Sequence, residues 1–167
     1  YSAPLLRFKE RPVLDSITSS THFVSPAVYG LVLAGAVFTP QLWLLLAAFF
    51  LWGIASHAFG AVQDILADRE AGIGSVATAI GGRATVRVSV LAYALAGVLL
   101  LFTGWPGALA AVLVIPYVLM CAPFWSVTDD NAESANRGWR RFLGLNFGAG
   151  FIVTMLLIAY WFLTPAG

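Results

Sequence analysis

The stretch Leu42–Gln63, LWLLLAAFFLWGIASHAFGAVQ, contains no acidic or basic side chain apart from one histidine, and its commonest residues are Ala and Leu. A helix of about 20 apolar residues is long enough to span the roughly 30 Å hydrocarbon core of a bilayer. A strand would need polar and apolar residues to alternate, and this stretch shows no such alternation. The stretch therefore predicts a transmembrane helix.

The composition of the whole chain agrees with this prediction. Its 167 residues are 60% hydrophobic and 10% charged, and the mean hydropathy is +0.86. Soluble domains average about 45–50% apolar and about 25% charged residues, so an ordinary soluble domain and a disordered chain are both excluded. The net charge of +1 indicates no nucleic-acid partner. The single cysteine, Cys121, excludes an internal disulfide and a cysteine-based metal cage.

Four further stretches have the length and apolar character of membrane spans. They are Leu14–Phe38, Ala84–Phe102, Pro106–Trp125 and Phe142–Leu163. Together with the first stretch they predict an all-α polytopic membrane helix bundle with five transmembrane helices. We expect residues 1–167 to form a single transmembrane domain.

All of the charged residues fall on one side of the membrane if the five spans alternate in direction. The acidic residues are Glu10, Asp15, Asp64, Asp68, Glu70, Asp129, Asp130 and Glu133, and the basic ones are Arg7, Lys9, Arg11, Arg69, Arg83, Arg87, Arg137, Arg140 and Arg141. The connections 39–41 and 103–106 carry no charge. Because Lys and Arg concentrate in cytoplasmic loops, we expect the charged side to face the cytoplasm of a bacterial plasma membrane.

Asp64 and Asp68 follow the second span, and their spacing places both carboxylates on one side of a helix, a turn apart. Two like charges at this spacing repel each other unless a cation lies between them. Mg²⁺ prefers a few carboxylates together with water and substrate phosphates. The pair therefore indicates either a Mg²⁺ site or a solvated helix end in which Arg69 pairs locally.

Two histidines lie inside predicted spans. His57 shares a helix face with Gly53 and Gly60, whose small size permits close approach of another helix or leaves room for a ligand. His22 belongs to a polar stripe in the first span, and polar groups in hydrocarbon are expected to face a bundle interior or a wet cavity. The stripe consists of Asp15, Ser19, His22, Pro26 and Tyr29. Either histidine could also be a satisfied interior residue without a catalytic role.

The segment before the first span is basic, with Arg7, Lys9 and Arg11 within five residues. Three cations at a membrane surface suit a diphosphate, and they suit equally well an anchor for anionic lipid. The segment after Asp68, residues 71–83, is rich in glycine and weakly polar. It is consistent with a cap over a cavity or with a compact connection.

Taken together, these motifs resemble the C-terminal half of the UbiA superfamily of intramembrane prenyltransferases. The resemblance is carried by Tyr1-Ser2-x-Pro4-x-x-Arg7-x-Lys9, Arg11-Pro12, Asp64-x-x-x-Asp68-Arg69-x-x-Gly72 and Thr78. It covers nearly the whole chain. The run from His57 to Asp64 is most similar to the lycopene elongase branch, which makes C50 carotenoids. One departure is Leu5, where the family often has a second proline.

The resemblance implies a nine-helix bundle of which this chain holds the last five helices, without the first four and without the first aspartate-rich motif. It implies that Asp64 and Asp68 bind Mg²⁺. It also implies that Tyr1, Arg7 and Lys9 contact a prenyl diphosphate, with Arg69 beside them. His57 or His22 would serve as a base. Tyr29, Phe59 or Trp52 would stabilise an allylic carbocation.

The activity that we expect is Mg²⁺-dependent transfer of a prenyl group from a prenyl diphosphate to a lipophilic acceptor. The acceptor would be a carotenoid, with a quinone precursor, a chlorin or a glycerol phosphate as alternatives. Part of a secondary transporter and an assembly subunit without a site are alternatives from other classes. We expect residues 1–167 alone to be inactive, because half of the diphosphate site would be missing.

Overall fold

The computed structural model describes residues 7–163, apart from the side chain of Lys9, and in this part of the chain every regular element is helical. The helices are α1 (Leu14–Leu33), α2 (Pro40–Val62), α3 (Ile65–Glu70), α4 (Val76–Ile80), α5 (Gly82–Leu101), α6 (Val114–Cys121) and α7 (Asn136–Leu163). Short 3₁₀ segments occupy Phe8–Glu10, Gly107–Leu113, Ala122–Phe124 and Asp129–Ala135. The predicted all-α membrane bundle is confirmed.

Four of the described helical stretches are long and apolar enough to cross a membrane. They are Pro40–Val62, Gly82–Leu101, Gly107–Phe124 and Asp129–Leu163. The helix α1 has the length, at 20 residues, but its hydroxyl, imidazole and carboxylate side chains make it too polar to qualify. A fifth crossing by α1 therefore stays a prediction.

The helix α2 lies at the centre of the bundle and packs against α1 and α5. Its small residues allow this close packing: a Cβ atom added to Gly53 would lie 2.5 Å from Ser20 Oγ on α1. Ser20 in turn donates its hydroxyl to the Phe50 carbonyl oxygen at 2.6 Å, so the polar contact is satisfied inside the interface. The start of α2 is fixed by Thr39, whose hydroxyl oxygen accepts the Leu42 N–H at 3.3 Å.

The hydrophobic core is formed where α2, α5 and α6 meet. Tyr93 is fully buried there, and its hydroxyl lies 2.9 Å from Ser56 Oγ on α2. Cys121 is also fully buried. The Tyr93 hydroxyl is therefore buried in the core with a hydrogen-bond partner.

The helix α7 packs on the rest of the bundle mainly near its start. A Cβ atom on Gly138 would lie 2.7 Å from Phe59 and 2.8 Å from Phe124, so glycine permits the close approach. Further along, the Tyr117 hydroxyl donates to Asn146 Oδ1 at 2.8 Å. Within Asp129–Leu163, only 6% of the most apolar stretch is buried, so most side chains of α7 face outward.

The connection before α7 differs from the solvated loop that its polar sequence suggests. Residues 129–135 form a 3₁₀ segment, and Ala132 and Ala135 are buried. The α-helix then begins at Asn136, six residues before the predicted span at Phe142. The connection therefore packs against α2 and α3 and closes the end of the bundle where Asp64 and Asp68 lie.

Candidate active site

Asp64 and Asp68 lie at the C-terminal end of α2. The prediction that one helix carries both carboxylates is wrong in detail, because α2 ends at Val62 and Asp64 precedes α3. Asp64 has φ −97° and ψ 1°, outside helical values, and aspartate is favoured at such N-terminal positions. The Asp68 N–H still donates to the Asp64 carbonyl oxygen at 2.8 Å, so the two residues remain one turn apart.

The two carboxyl groups disfavour each other's charge. Partial burial raises the pKa of Asp64. Burial also raises the pKa of Asp68, and the nearby Asp64 charge raises it further, although a hydrogen bond from Ser75 opposes this. Among the described side chains, no Lys or Arg forms an ion pair with either carboxylate. A pair of anions without a protein cation has the electrostatics of a cation site.

The donor set fits Mg²⁺ held with a phosphate ligand. Mg²⁺ is usually bound through one or two carboxylates while water and substrate oxygens complete its octahedron. No cluster of three or more His, Cys, Asp or Glu side chains that could hold a metal occurs within residues 7–163. Asp64 and Asp68 could therefore hold Mg²⁺ only with oxygens from a phosphate, from water or from another part of the protein.

The N-terminal basic segment packs against the connection that follows Asp68. A Cβ atom on Gly74 would lie 2.5 Å from the Glu10 carbonyl oxygen and 3.2 Å from Pro12 Cδ. Only glycine allows this approach, which brings the segment carrying Arg7 and Lys9 to the same end of the bundle. The Arg7 guanidinium forms an ion pair with Glu10 at 3.1 Å. Tyr1 and the Lys9 side chain lie outside the described part of the structure.

The glycine-rich segment after Asp68 contains the short helix α4. Ser75 and Thr78 form a reciprocal capping box at its start, with the Ser75 N–H donating to Thr78 Oγ1 at 2.8 Å. The Val76 N–H donates to Asp15 Oδ2 of α1 at 2.9 Å. The capping box and this hydrogen bond fix the segment against α1. The segment therefore has the structure of a compact connection, one of the two predicted alternatives.

His57 faces α1. Its Nδ1 lies 3.2 Å from Ser16 Oγ and 3.9 Å from Asp15 Oδ2. Asp15 is 1% exposed, and its Oδ1 has no hydrogen-bond partner within the described residues. The other carboxylate oxygen, Oδ2, accepts the Val76 N–H, so this hydrogen bond fixes Asp15 against α4.

Arg69 lies at the same end of the bundle but points to another partner. Its Nη2 donates to Asp129 Oδ2 at 2.7 Å and to the Thr78 carbonyl oxygen at 3.2 Å. Asp129 Oδ1 accepts the Gly82 N–H at the start of α5 at 2.7 Å. These bonds tie α3, α4 and α5 together, while 44% of the Arg69 side chain stays exposed.

The polar stripe predicted on α1 is only partly buried, and this prediction is corrected. The polar side chains buried in the bundle are those of Asp15, Ser16 and Ser20, which face α2, whereas His22 and Tyr29 are exposed. The His22 Nδ1 lies 2.7 Å from the Thr18 carbonyl oxygen within the same helix. The difference arises because α2 packs against the face of α1 that carries Ser16 and Ser20, each one residue further along the chain than the predicted face positions Asp15 and Ser19.

Apolar and aromatic surface lies further along α1 and α2, away from the charged end of the bundle. Tyr29 lines an open groove with Thr21, Ser25 and Phe50 between α1 and α2. Trp52 stacks on Phe142 at a ring separation of 5.9 Å. Phe59, in contrast, is 1% exposed and packs against Phe124, so a substrate cation has no access to its face and its predicted role is corrected.

The family model described as the UbiA prenyltransferase family matches residues 1–147. The chain belongs to this family. The resemblance that the sequence motifs predicted is thereby confirmed, and the bundle with its charged end represents a UbiA membrane fold. No solved structure matches the chain.

Relatives of this UbiA family member include proteins named for carotenoid synthesis. It is 50% identical over 159 residues to a lycopene elongase/hydratase of Corynebacterium glutamicum, covering 95% of this chain and 55% of the relative. It is 52% identical to the C(50) beta-cyclic carotenoids biosynthesis protein LbtBC of a Dietzia species, covering 95% of this chain and 37% of that protein. A lycopene elongase/hydratase of Haloarcula japonica is 34% identical over 161 residues, 96% of this chain and 51% of the relative. The chain thus spans about half the length of these relatives or less.

Three residues of this UbiA chain contribute to the site without having been selected from the sequence. Asp15 was noted only as part of a stripe, Gly74 only as part of a glycine-rich segment, and Asp129 only as part of a polar connection. Their partners lie 42 to 64 positions away along the chain: His57 and Val76 for Asp15, Glu10 for Gly74, and Arg69 for Asp129. Local spacing contains no signal for such pairs.

Proposed function

We propose that the protein carrying this chain transfers a prenyl group from a prenyl diphosphate to a carotenoid acceptor, as a lycopene elongase does. The observation that carries the proposal is the pair of carboxylates at the end of α2, with the basic N-terminal segment packed on the adjoining connection through Gly74. Two half-identical relatives support the acceptor class, because one is named lycopene elongase/hydratase and the other C(50) beta-cyclic carotenoids biosynthesis protein.

In this proposal Asp64 and Asp68 hold Mg²⁺, and Tyr1, Arg7 and Lys9 hold the diphosphate, with Arg69 beside them. Mg²⁺ supplies charge neutralisation that makes diphosphate a better leaving group. The basic side chains stabilise the negative charge that grows on the departing diphosphate. The apolar bundle keeps water away from the allylic cation that remains.

The acceptor would approach from the lipid along apolar surface between helices. Tyr29 lines the open groove between α1 and α2 and could offer an aromatic face to a cation, and His22 lies about two turns before it on α1. Trp52 stacks on Phe49 and Phe142 instead. The acceptor double bond attacks the allylic carbon, which leaves a tertiary cation on the product. That cation is discharged by water or by loss of a proton, and His57 Nε2 accepts the proton.

The same proposal covers the setting of the enzyme. Residues 1–167 would form one transmembrane domain in a bacterial plasma membrane, with the carboxylates facing the cytoplasm. Helices preceding this part of the protein would supply the other aspartate-rich motif, so residues 1–167 alone would be inactive. A transporter is disfavoured because Asp64 and Asp68 lie at a helix end rather than mid-span, where ion sites of secondary transporters lie.

The test uses the full-length protein with Asp64→Asn and Asp68→Asn, each of which keeps the side-chain shape and removes the charge. We expect each variant to lose at least about a hundredfold in turnover of dimethylallyl diphosphate with lycopene. Glu70→Gln, on the same short helix, is the matched control and is expected to retain activity. Near-normal activity in both aspartate variants would refute the site, and turnover of only quinone or chlorin acceptors would refute the carotenoid assignment.

A further inference from the structure

Asp15 joins three parts of the bundle at one buried point. Its Oδ2 accepts the Val76 N–H of α4 at 2.9 Å and lies 3.9 Å from His57 Nδ1 of α2. The neighbouring Ser16 Oγ lies 3.2 Å from the same imidazole nitrogen. Asp15 Oδ1 has no hydrogen-bond partner within residues 7–163, although the side chain is 1% exposed. The contacts with Val76 and with His57 both involve Oδ2, so one carboxylate oxygen lies beside both α4 and the imidazole.

We propose that Asp15 is a positioning residue that orients the His57 imidazole, together with Ser16, so that Nε2 can accept the proton released when the prenylated product cation is discharged. This inference rests on the proposed function. Imidazoles that transfer protons are commonly held by a carboxylate or hydroxyl at one nitrogen, which leaves the other nitrogen for the reaction.

The position of His57 along α2 suits this role. It lies five residues before the end of α2 at Val62, which places it about 8 Å along the helix axis from that end. Asp64 lies just past the same end. The new bond forms at C1 of the prenyl group, beside the diphosphate, and the tertiary cation forms on the acceptor, on the apolar side of that bond. A proton acceptor deeper in the bundle than the diphosphate site therefore lies on the side where the cation forms. The His57 side chain is 31% exposed, so a substrate can reach it.

The proton balance of the step is complete. The C1–O bond of the prenyl diphosphate breaks, and diphosphate leaves with the electron pair. The acceptor π bond forms a new C–C bond to C1, which leaves a tertiary cation. Water then adds to this cation and gives one proton to His57 Nε2, or the cation itself gives up a proton and an alkene forms. The negative charge of Asp15 stabilises the imidazolium that results.

The experiment compares Asp15→Asn with Asp15→Ala in the full-length enzyme. Asparagine retains an oxygen that can accept the Val76 N–H but has no charge, whereas alanine loses both. We expect Asp15→Asn to lower kcat at least about tenfold, while KM for the prenyl diphosphate stays within about twofold. We expect the ratio of hydroxylated to alkene product to change in the same variant. Ser16→Ala should change that ratio in the same direction.

A double-mutant cycle completes the test. If Asp15 acts through His57, Asp15→Asn has little further effect in a His57→Gln background. If the two substitutions instead act independently, so that their effects on kcat multiply, the inference is overturned. It is also overturned if Asp15→Asn has a normal kcat and product ratio while Asp15→Ala loses activity, because that pattern is expected of a residue that only caps α4. A wild-type enzyme inactive with every acceptor overturns the proposed function as well, whereas an active wild type with an unaffected Asp15→Asn overturns only the role of Asp15.

Discussion

At the scale of single residues, the decisive property of the site is the mutual repulsion of Asp64 and Asp68. Burial raises the pKa of both groups, and the Asp64 charge raises that of Asp68 further. A raised pKa means that each group keeps its proton to a higher pH than an ordinary carboxyl group does. A divalent cation binds the charged form, so protons compete with the cation for these groups more strongly as the pH falls.

We therefore expect Mg²⁺ affinity in the presence of a prenyl diphosphate to fall as the pH is lowered, and to begin falling at a higher pH than it would for carboxyl groups of ordinary pKa. Calorimetry of the full-length protein in two buffers of different ionisation enthalpy measures both the affinity and the protons released. The double variant Asp64→Asn with Asp68→Asn is the control for protons released by the diphosphate itself. Proton release that is the same in wild type and control would contradict this account.

The sequence was sufficient to propose Asp64 and Asp68 as a cation site, because their spacing, sign and position after a span are local properties; their role stays a prediction. It was not sufficient for Asp15. A carboxylate at the start of an apolar helix is equally compatible with the membrane surface and with burial, and its contacts with His57 and Val76 depend on how α1 packs. For Phe59 the sequence predicted contact with a substrate cation, whereas the side chain is buried in the core.

At the scale of elements, the close approach of the N-terminal segment to Gly74 brings that segment to the end of the bundle where Asp64 and Asp68 lie, and the proposed function places its basic residues around the diphosphate there. We expect Gly74→Ala to push Glu10 away, because the added Cβ would lie 2.5 Å from a backbone oxygen that has no flexible end to move. The KM for the prenyl diphosphate should rise about tenfold, equivalent to about 1.4 kcal/mol, and kcat should change less.

Steady-state kinetics with varied prenyl diphosphate measure this effect. Gly148→Ala on α7 is the matched control, since no described atom lies within 4 Å of its added Cβ and alanine favours a helix. An unchanged KM in Gly74→Ala would show that the N-terminal segment does not contribute to diphosphate binding.

The start of α5 depends on an acceptor from a distant connection. Asp129→Ala leaves the Gly82 N–H and the Arg69 guanidinium without that partner, and we expect the free energy of unfolding to fall by about 1–2 kcal/mol. Arg69→Ala removes a pair whose side chains are 44% and 32% exposed, so its effect on stability should stay below about 1 kcal/mol.

Unfolding of the full-length protein in mixed micelles measures both changes, and Asp130→Ala is the control for the loss of an exposed neighbouring charge. If Arg69 also contacts the diphosphate, Arg69→Ala raises KM for the donor whereas Asp129→Ala does not. A larger loss of stability from Arg69→Ala than from Asp129→Ala would be inconsistent with this role for Asp129.

The sequence predicted which stretches form the long helices better than it predicted the residues at which those helices begin and end. The apolar runs predicted the spans beginning near Leu42 and Ala84 to within a few residues. The short helix α4 was missed because its five residues sit in a glycine-rich segment, and its capping box uses Thr78 where a Glu or Gln is usual. The early start of α7 was missed because a polar connection packs through its small residues rather than through apolar ones.

At the scale of the whole molecule, Cys121 reports whether the bundle is intact. Its side chain is fully buried among the core residues of α5 and α6. We expect a membrane-permeant maleimide to leave the folded protein unlabelled and to react once SDS opens the core. Leu119→Cys in a Cys121→Ser background is the control, because residue 119 is 64% exposed and should label readily in the folded state. Fast labelling of Cys121 in the native membrane would mean that the core opens without denaturant.

That the chain is a membrane bundle follows from composition alone, since so few charged residues cannot cover the surface of a soluble protein of this size. Composition does not indicate which helix lies at the centre of the bundle. The helix α2 occupies that place through the small residues that let α1 and α5 approach, and a run such as Leu42–Gln63 would look much the same on the outside of a bundle.

The contacts that hold the charged end together also set an order of events during synthesis. The bonds from Val76 to Asp15, from Arg69 to Asp129 and from Asn136 to Gln63 join residues separated by 61, 60 and 73 positions. None of them can form until the ribosome has delivered the later partner, and two of the three require the connection that precedes α7. These contacts are therefore complete only after the chain has been synthesised as far as the start of α7. Under the proposed function, a nascent chain would not activate a prenyl donor before the helices α1 to α6 that would surround its cation have been made.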